Sequence, residues 1–314
     1  MPSWQARLFS TFSRWMVKRN LHRLGMDEAE AVRRIRRALE PSDFFRPRLP
    51  REVKVEEVDL FAAKGEWVTW TDAPERTVYY LHGGGYVACT PATHRGFTAH
   101  LSRAANAKVF ALDYRRAPEH RFPAALEDAV RGYRMLLEEG ERPEHMVIGG
   151  DSAGGGLTLA TLIALRDRGL PLPSAAFCLS PWTDLAATGG SIITNEDKDP
   201  MLTGHGIKEF AAIYHGQTPA DDPLVSPLYG DLIGLPPLLI YVSNTEILLD
   251  DSVRLAARAK KHGVKADLRV WNELPHVWPI FVSFKLPEAQ QALGEIAEFV
   301  RQQTSLQQAK RSAA

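Results

Sequence analysis

The residues with the clearest chemical capacity lie in Gly150-Asp151-Ser152-Ala153-Gly154. A serine flanked by glycines two positions away on each side fits a nucleophile on a sharp turn, because no neighbouring side chain crowds its hydroxyl. Met146-Val147-Ile148 leads into the motif and Gly155-Gly156-Leu157-Thr158-Leu159-Ala160 leads out, so the chain reads strand, turn, helix. Such a turn strains the serine backbone and lifts Oγ above the strand end. It also sets Oγ at a helix N-terminus, where the dipole favours developing negative charge. The chemistry this permits is attack on a carbonyl carbon. That attack needs donors for the oxyanion it creates, a base for the serine proton and an acid to hold the base. A serine in an ordinary strand-to-helix turn would need none of these.

The tract His82-Gly83-Gly84-Gly85 follows the β-type run at 78–81. Its glycines let backbone N–H groups face a substrate oxygen without obstruction. Gly84 and Gly85, with the N–H of Ala153, are the expected oxyanion donors. The base is expected at His276, in Leu274-Pro275-His276-Val277-Trp278, on the loop that closes a strand at 268–271. His262 falls on a polar helix face and reads as solvent-exposed, His205 and His215 lie in an insertion, and His82 reads as shaping its own loop. For the acid there are three carboxylates after a strand at 238–242: Glu246, Asp250 and Asp251. Asp250 and Asp251 open the next helix, where carboxylates serve as caps. Glu246, on the loop itself, is preferred, with Asp250 as the alternative.

These groups need a scaffold, and the pattern of the chain supplies one. Strand-type runs fall at 53–60, 67–70, 78–81, 109–114, 146–149, 175–179, 238–242 and 268–271. Helical patterns lie at 93–105, 124–139, 155–167, 251–262 and 288–301. The alternation predicts an α/β fold with an eight-stranded, mostly parallel sheet flanked by helices, opening with antiparallel strands. The order serine, acid, histidine is that of an α/β-hydrolase, and it argues against His82 as the base. The stretch 184–237, rich in Gly, Pro and Asp with a helical patch near 207–215, is too long for a loop and reads as an insertion. Residues 1–45 look helical, with a second helix across 27–39, and 46–51 reads as a linker. The polar end beyond Gln303 reads as a fraying tail.

Composition narrows the classes. Lys+Arg and Asp+Glu are both 38, which gives no sign of a nucleic-acid or polyanionic partner. Cys89 and Cys178 read as free thiols, pointing to a reducing, cytoplasmic setting. No run is apolar enough to predict an integral membrane segment. At the start, Trp4, Leu8, Phe9, Phe12, Trp15 and Met16 recur at helical spacing among Arg7, Arg14, Lys18 and Arg19. This predicts a helix packing its apolar face on the protein, with a membrane-surface helix as the alternative.

The sequence resembles the bacterial hormone-sensitive-lipase-like esterases, microbial esterase family IV, from about Val78 to the end of the last helix. The resemblance rests on His82–Gly85, on Gly150–Gly155, on Asp113-Tyr114-Arg115-Arg116-Ala117-Pro118-Glu119-His120-Arg121-Phe122-Pro123-Ala124-Ala125 with Asp128, and on Ser180-Pro181-Trp182-Thr183-Asp184-Leu185. It implies that Glu246, heading Glu246-Ile247-Leu248-Leu249-Asp250, is the acid, and that no cofactor or metal is needed. It further implies a helical cap from 1–45 and 184–225 over a core of 46–183 and 226–303, with 304–314 as the tail, and the possibility of a homodimer. Arg116, Cys89 and Ser243-Asn244 depart from the family's usual leucine, small residue and Gly-containing pair. The expected function is hydrolysis of short- to medium-chain carboxylic esters, small-molecule substrates, through an acyl-enzyme. The alternatives are a lactone or amide hydrolase of the same fold and a non-catalytic ligand-binding protein. A trypsin-like peptidase is disfavoured, because such enzymes are all-β and place the serine last.

Overall fold

In the computed structural model, which describes residues 1–18, 27–40, 49–59 and 64–312, the apolar runs of the middle of the chain become strands covered on both faces. The strands are β1 (Lys54–Asp59), β2 (Lys64–Thr69), β3 (Arg76–Leu81), β4 (Ala107–Asp113), β5 (Met146–Asp151), β6 (Ala175–Leu179), β7 (Leu238–Ser243) and β8 (Ala266–Trp271). They form one sheet in the order β1-β2-β4-β3-β5-β6-β7-β8. β1 and β2 pair antiparallel, as do β2 and β4, and the remaining pairs are parallel. The helices are α1 (Trp4–Ser13), α2 (Glu28–Leu39), α3 (Pro91–Ala105), α4 (Ala124–Glu138), α5 (Ala153–Asp167), α6 (Ser191–Thr194), α7 (Gly204–His215), α8 (Leu249–Lys261) and α9 (Pro287–Ser312).

Strand periodicity explains the two halves of the core. In β3, Val78 and Tyr80 join one buried cluster with Phe97 of α3 and Ile296 of α9. Tyr79 and Leu81 face the other way, into a cluster with Tyr133 of α4, Leu157 of α5 and Leu255 of α8. Both faces of the central strands are therefore apolar, as a parallel sheet between helices requires. Side chains such as Phe97 and Ile296, fully buried here, each contribute about 1.5–3 kcal/mol. The edge strands β1 and β8 carry exposed charged residues instead.

Several boundaries differ from the sequence reading. The last helix continues to Ser312, through the polar stretch read as a fraying tail. Leu60, residues 46–48 of the expected linker, and 19–26 and 41–45 of the expected N-terminal helices lie outside the described residues. α1 runs on into a π turn at Arg14–Lys18.

The N-terminal segment and the insertion meet each other. Arg14 donates to the carbonyls of Asp197 and Lys198 at 2.8 and 3.0 Å. Lys18 Nζ donates to the carbonyls of Glu196 and, at 2.8 Å, Asp199. Tyr214 of α7 stacks on Tyr86, just beyond the glycine tract, with ring centroids 3.7 Å apart. Among the described residues no helix is long and apolar enough to cross a membrane.

Candidate active site

Ser152 sits between β5 and α5 with φ 53° and ψ −121°, a conformation that costs a non-glycine residue about 1–3 kcal/mol. Backbone hydrogen bonds hold it there. Its N–H donates to Leu179, and its carbonyl accepts from Gly155, Gly156 and Trp182 at 2.9 to 3.2 Å. The flanking glycines are needed for close approach. A Cβ on Gly154 would run into the carbonyls of Leu81 and His82, and one on Gly150 into the backbone of Gly154.

His276 Nε2 lies 2.9 Å from Ser152 Oγ, and His276 Nδ1 lies 2.5 Å from Glu246 Oε2. Glu246 Oε1 accepts from Ser180 Oγ at 2.8 Å and from the N–H of Ser243 at 2.7 Å. Both His276 and Glu246 are buried. Burial pushes the Glu246 carboxyl above its usual range, while His276 pulls it back. Burial alone would lower the pKa of His276, but the facing Glu246 carboxylate, with Asp199 behind it, holds it above the ordinary histidine value. The arrangement can take a proton from Oγ and carry the resulting positive charge against a fixed carboxylate.

The other candidates are held elsewhere. Asp250 accepts from the N–H of Ser191 at 3.0 Å. Asp251 accepts from the N–H groups of Thr183 and Asp184 at 2.7 and 2.8 Å, and burial pushes its carboxyl up to about 7. His205 pairs with Glu209 on α7. His262 is half-buried rather than solvent-exposed, because its Nδ1 accepts from the N–H of Leu232 at 2.9 Å. His82 stacks on Tyr114 at 4.2 Å, and its Nδ1 contacts the Gly83 carbonyl at 2.7 Å. Burial and the neighbouring His94 push its pKa down to about 3, so it stays neutral.

Gly84 and Gly85 have φ of 113° and 62°. A Cβ on Gly84 would overlap the carbonyl of Ala88. Among the described residues the N–H groups of Gly84, Gly85 and Ala153 donate no backbone hydrogen bond. Asp151 fastens this loop to the serine turn: its Oδ1 accepts from the N–H of Gly83 at 3.0 Å and from Tyr80 at 2.6 Å, and lies 3.3 Å from His94 Nε2.

Sequence reasoning missed Asp151, Ser180, Asn195 and Asp199. Asn195 Nδ2 donates to the carbonyls of Asn244 and Glu246, and Asp199 accepts from the N–H of Ile247 at 3.0 Å, so the insertion grips the loop that carries Glu246. Asp151 lies inside the Gly150–Gly154 motif and Ser180 opens the segment Ser180–Leu185, so each has a signal in the sequence. The departures from the family pattern also acquire partners. Ser243 Oγ accepts from the N–H of Leu274, and Asn244 Oδ1 from that of Glu273, joining the two loops that bear Glu246 and His276. Arg116 bridges Glu40 and the carbonyl of Cys89, whose N–H donates to Glu40. Cys89 and Cys178 are unpaired and buried, and burial pushes each thiol up to about 12.

Above Ser152 is a cavity of about 180 Å³, walled by apolar side chains that include Val17, Ile35, Trp182, Met201, Ile207 and Phe210.

Residues 78–280 match the family described as alpha/beta hydrolase fold. The chain is 46% identical over 239 residues to an acetyl-hydrolase of Streptomyces hygroscopicus, covering 76% of this chain and 80% of that one. It is similar to a solved esterase of the bacterial hormone-sensitive lipase family, with TM-score 0.86 and 41% identity over 97% of this chain and 99% of that one. It is also similar to EstE5 soaked with p-nitrophenyl butyrate, with TM-score 0.85 and 40% identity over 96% and 99% of the two chains.

Proposed function

We propose that this chain, which belongs to the α/β-hydrolase fold family and within it to the bacterial hormone-sensitive-lipase-type esterases, hydrolyses short- to medium-chain carboxylic esters through an acyl-enzyme. One observation carries the reading: a continuous line of hydrogen bonds from Ser152 Oγ through His276 to Glu246, beneath a cavity with apolar walls.

In this reading His276 Nε2 takes the Ser152 proton as Oγ attacks the ester carbonyl carbon. Glu246 holds the Nδ1–H tautomer and stabilises the imidazolium. The N–H groups of Gly84, Gly85 and Ala153 face the oxyanion of the tetrahedral intermediate. His276 then returns the proton to the leaving alkoxide, and the acyl group remains on Oγ. Water repeats the attack with His276 as base, and collapse releases the acid and restores the Ser152 hydroxyl. The segments 1–45 and 184–225 act together as a cap over the core formed by 46–183 and 226–303. The two unpaired thiols support a cytoplasmic setting. The open edge of β8, the last strand in the sheet order, supports pairing of two copies there, which sedimentation equilibrium tests.

The test of function is a set of initial rates on p-nitrophenyl esters from acetate to palmitate, a lactone and an anilide. The reading expects the short and medium esters to be fastest. A lactone or anilide turned over faster than every ester would replace it.

A further inference from the structure

Trp4, Leu8, Phe12 and Trp15 are exposed to 71%, 63%, 50% and 64%, whereas their helical spacing predicts a packed apolar face. The face of α1 that does pack is the other one: Ala6 and Ser13 are buried, and Phe9 lies 4.4 Å from Phe281 and 5.7 Å from Phe284. At about 100° per residue, Trp4, Leu8 and Phe12 share about a quarter of the helix circumference. Phe284, 55% exposed beside Phe9, extends the apolar surface. Single exposed apolar residues are common, but a cluster of this kind marks a contact surface.

Charge identifies the partner. The exposed Arg7 and Arg14 flank the aromatic face. The first acidic residue of the chain is Asp27, and five arginines and lysines precede it, in a protein whose formal net charge is zero. Of the five, Arg7 and Arg14 are exposed, Arg14 while also donating to the insertion, and Lys18 is buried on the carbonyls of Glu196 and Asp199. Tryptophan, an apolar stripe and flanking cations without acids make up a helix suited to an anionic lipid interface. A second copy of this chain fits less well, because a symmetric contact would set the same cations against each other.

A second feature of the region is consistent with lipid. An apolar cavity of about 470 Å³, lined by Phe9, Phe12, Met16 and Phe284 among others, adjoins α1. It shares Val17, Leu39, Met201 and Phe281 with the cavity above Ser152. We propose that the exposed face of α1 docks the chain on an anionic phospholipid surface.

The test sediments the full chain with vesicles of equal parts phosphatidylglycerol and phosphatidylcholine, and with phosphatidylcholine alone. Tryptophan fluorescence reports insertion. The proposal expects binding to the mixed vesicles that weakens with salt, and little binding to phosphatidylcholine. Trp4→Ser/Leu8→Ser/Trp15→Ser should lower partition at least about 100-fold. Arg7→Glu should lower it about 20-fold. Arg7 is exposed, so this variant and the salt titration decide the matter even if the triple variant unfolds. Absence of binding, equal binding to both vesicle types, or full binding by Arg7→Glu would overturn the proposal. So would a wild-type dimer that ignores vesicles and becomes a monomer in the triple variant, an outcome that assigns the face to a second copy. None of these readouts depends on esterase activity.

Discussion

The floor and the roof of the cavity present different groups to it, hydrogen-bonded polar side chains below and apolar side chains above. On the floor, Ser152, His276 and Glu246 sit on the loops that close β5, β8 and β7, and each is fixed by hydrogen bonds to buried partners such as Ser180 and the N–H of Ser243. The roof, from the N-terminal segment and the insertion, faces the cavity with side chains such as Val17, Met201, Ile207 and Phe210. Directional bonds fix where a proton or an oxyanion goes, whereas apolar contact fixes only size and shape. Changes to the floor should therefore act on turnover, and changes to the roof on substrate range.

The largest expected effect lies within the floor. Glu246→Gln should lower kcat on p-nitrophenyl butyrate by about 10⁴, because the imidazole loses the partner that sets its tautomer. Asp250→Asn and Asp251→Asn, whose carboxylates support other loops, should stay within about tenfold of wild type, since neither touches the reacting groups. A reversal of this order would move the acid to Asp250 and break the comparison.

Gly84→Ala should cost about 10²–10³ in kcat through a displaced oxyanion donor. At φ 113° the new side chain should also lower thermal stability, read from the melting temperature.

In the roof, Phe210→Ala should shift the octanoate-to-acetate ratio of kcat/KM by about tenfold while kcat on acetate changes little. A collapse of kcat on every ester would mean that the roof takes part in the chemistry.

The smallest effect is a pH shift. In the proposed mechanism neutral His276 is the reactive form, and the facing Glu246 carboxylate holds its pKa above the ordinary histidine value. Turnover should therefore fall as pH drops through that raised value. In Glu246→Gln the residual activity should survive to lower pH, because the neutral partner no longer favours the imidazolium. A midpoint unmoved by that substitution would separate Glu246 from His276.

The same division explains what could be read from the sequence. Ser152 and the His82–Gly85 tract announce themselves because their geometry is local: the glycines follow from the turns that need them. His276 emerged from its place after a strand, and the structure brings it within reach of both Ser152 and Glu246. The acid stayed ambiguous because three carboxylates follow one strand, and only long-range contacts separate them. Asn195 and Asp199 were invisible for the same reason, since they meet the Glu246 loop from about 50 residues away. For α1, periodicity showed which residues share a face but not which face meets the protein. Phe9 packs on Phe281 while Trp4 and Leu8 remain outside.

The central claim is that Ser152 is the group that takes the acyl chain, and covalent labelling tests it most directly. The intact protein is treated with a fluorophosphonate, digested, and its adduct located by mass spectrometry. One adduct per chain on the peptide containing Ser152, lost in Ser152→Ala and accompanied by loss of esterase activity, is the predicted result. An unlabelled Ser152, or an adduct on another residue that accounts for the activity, would contradict the account.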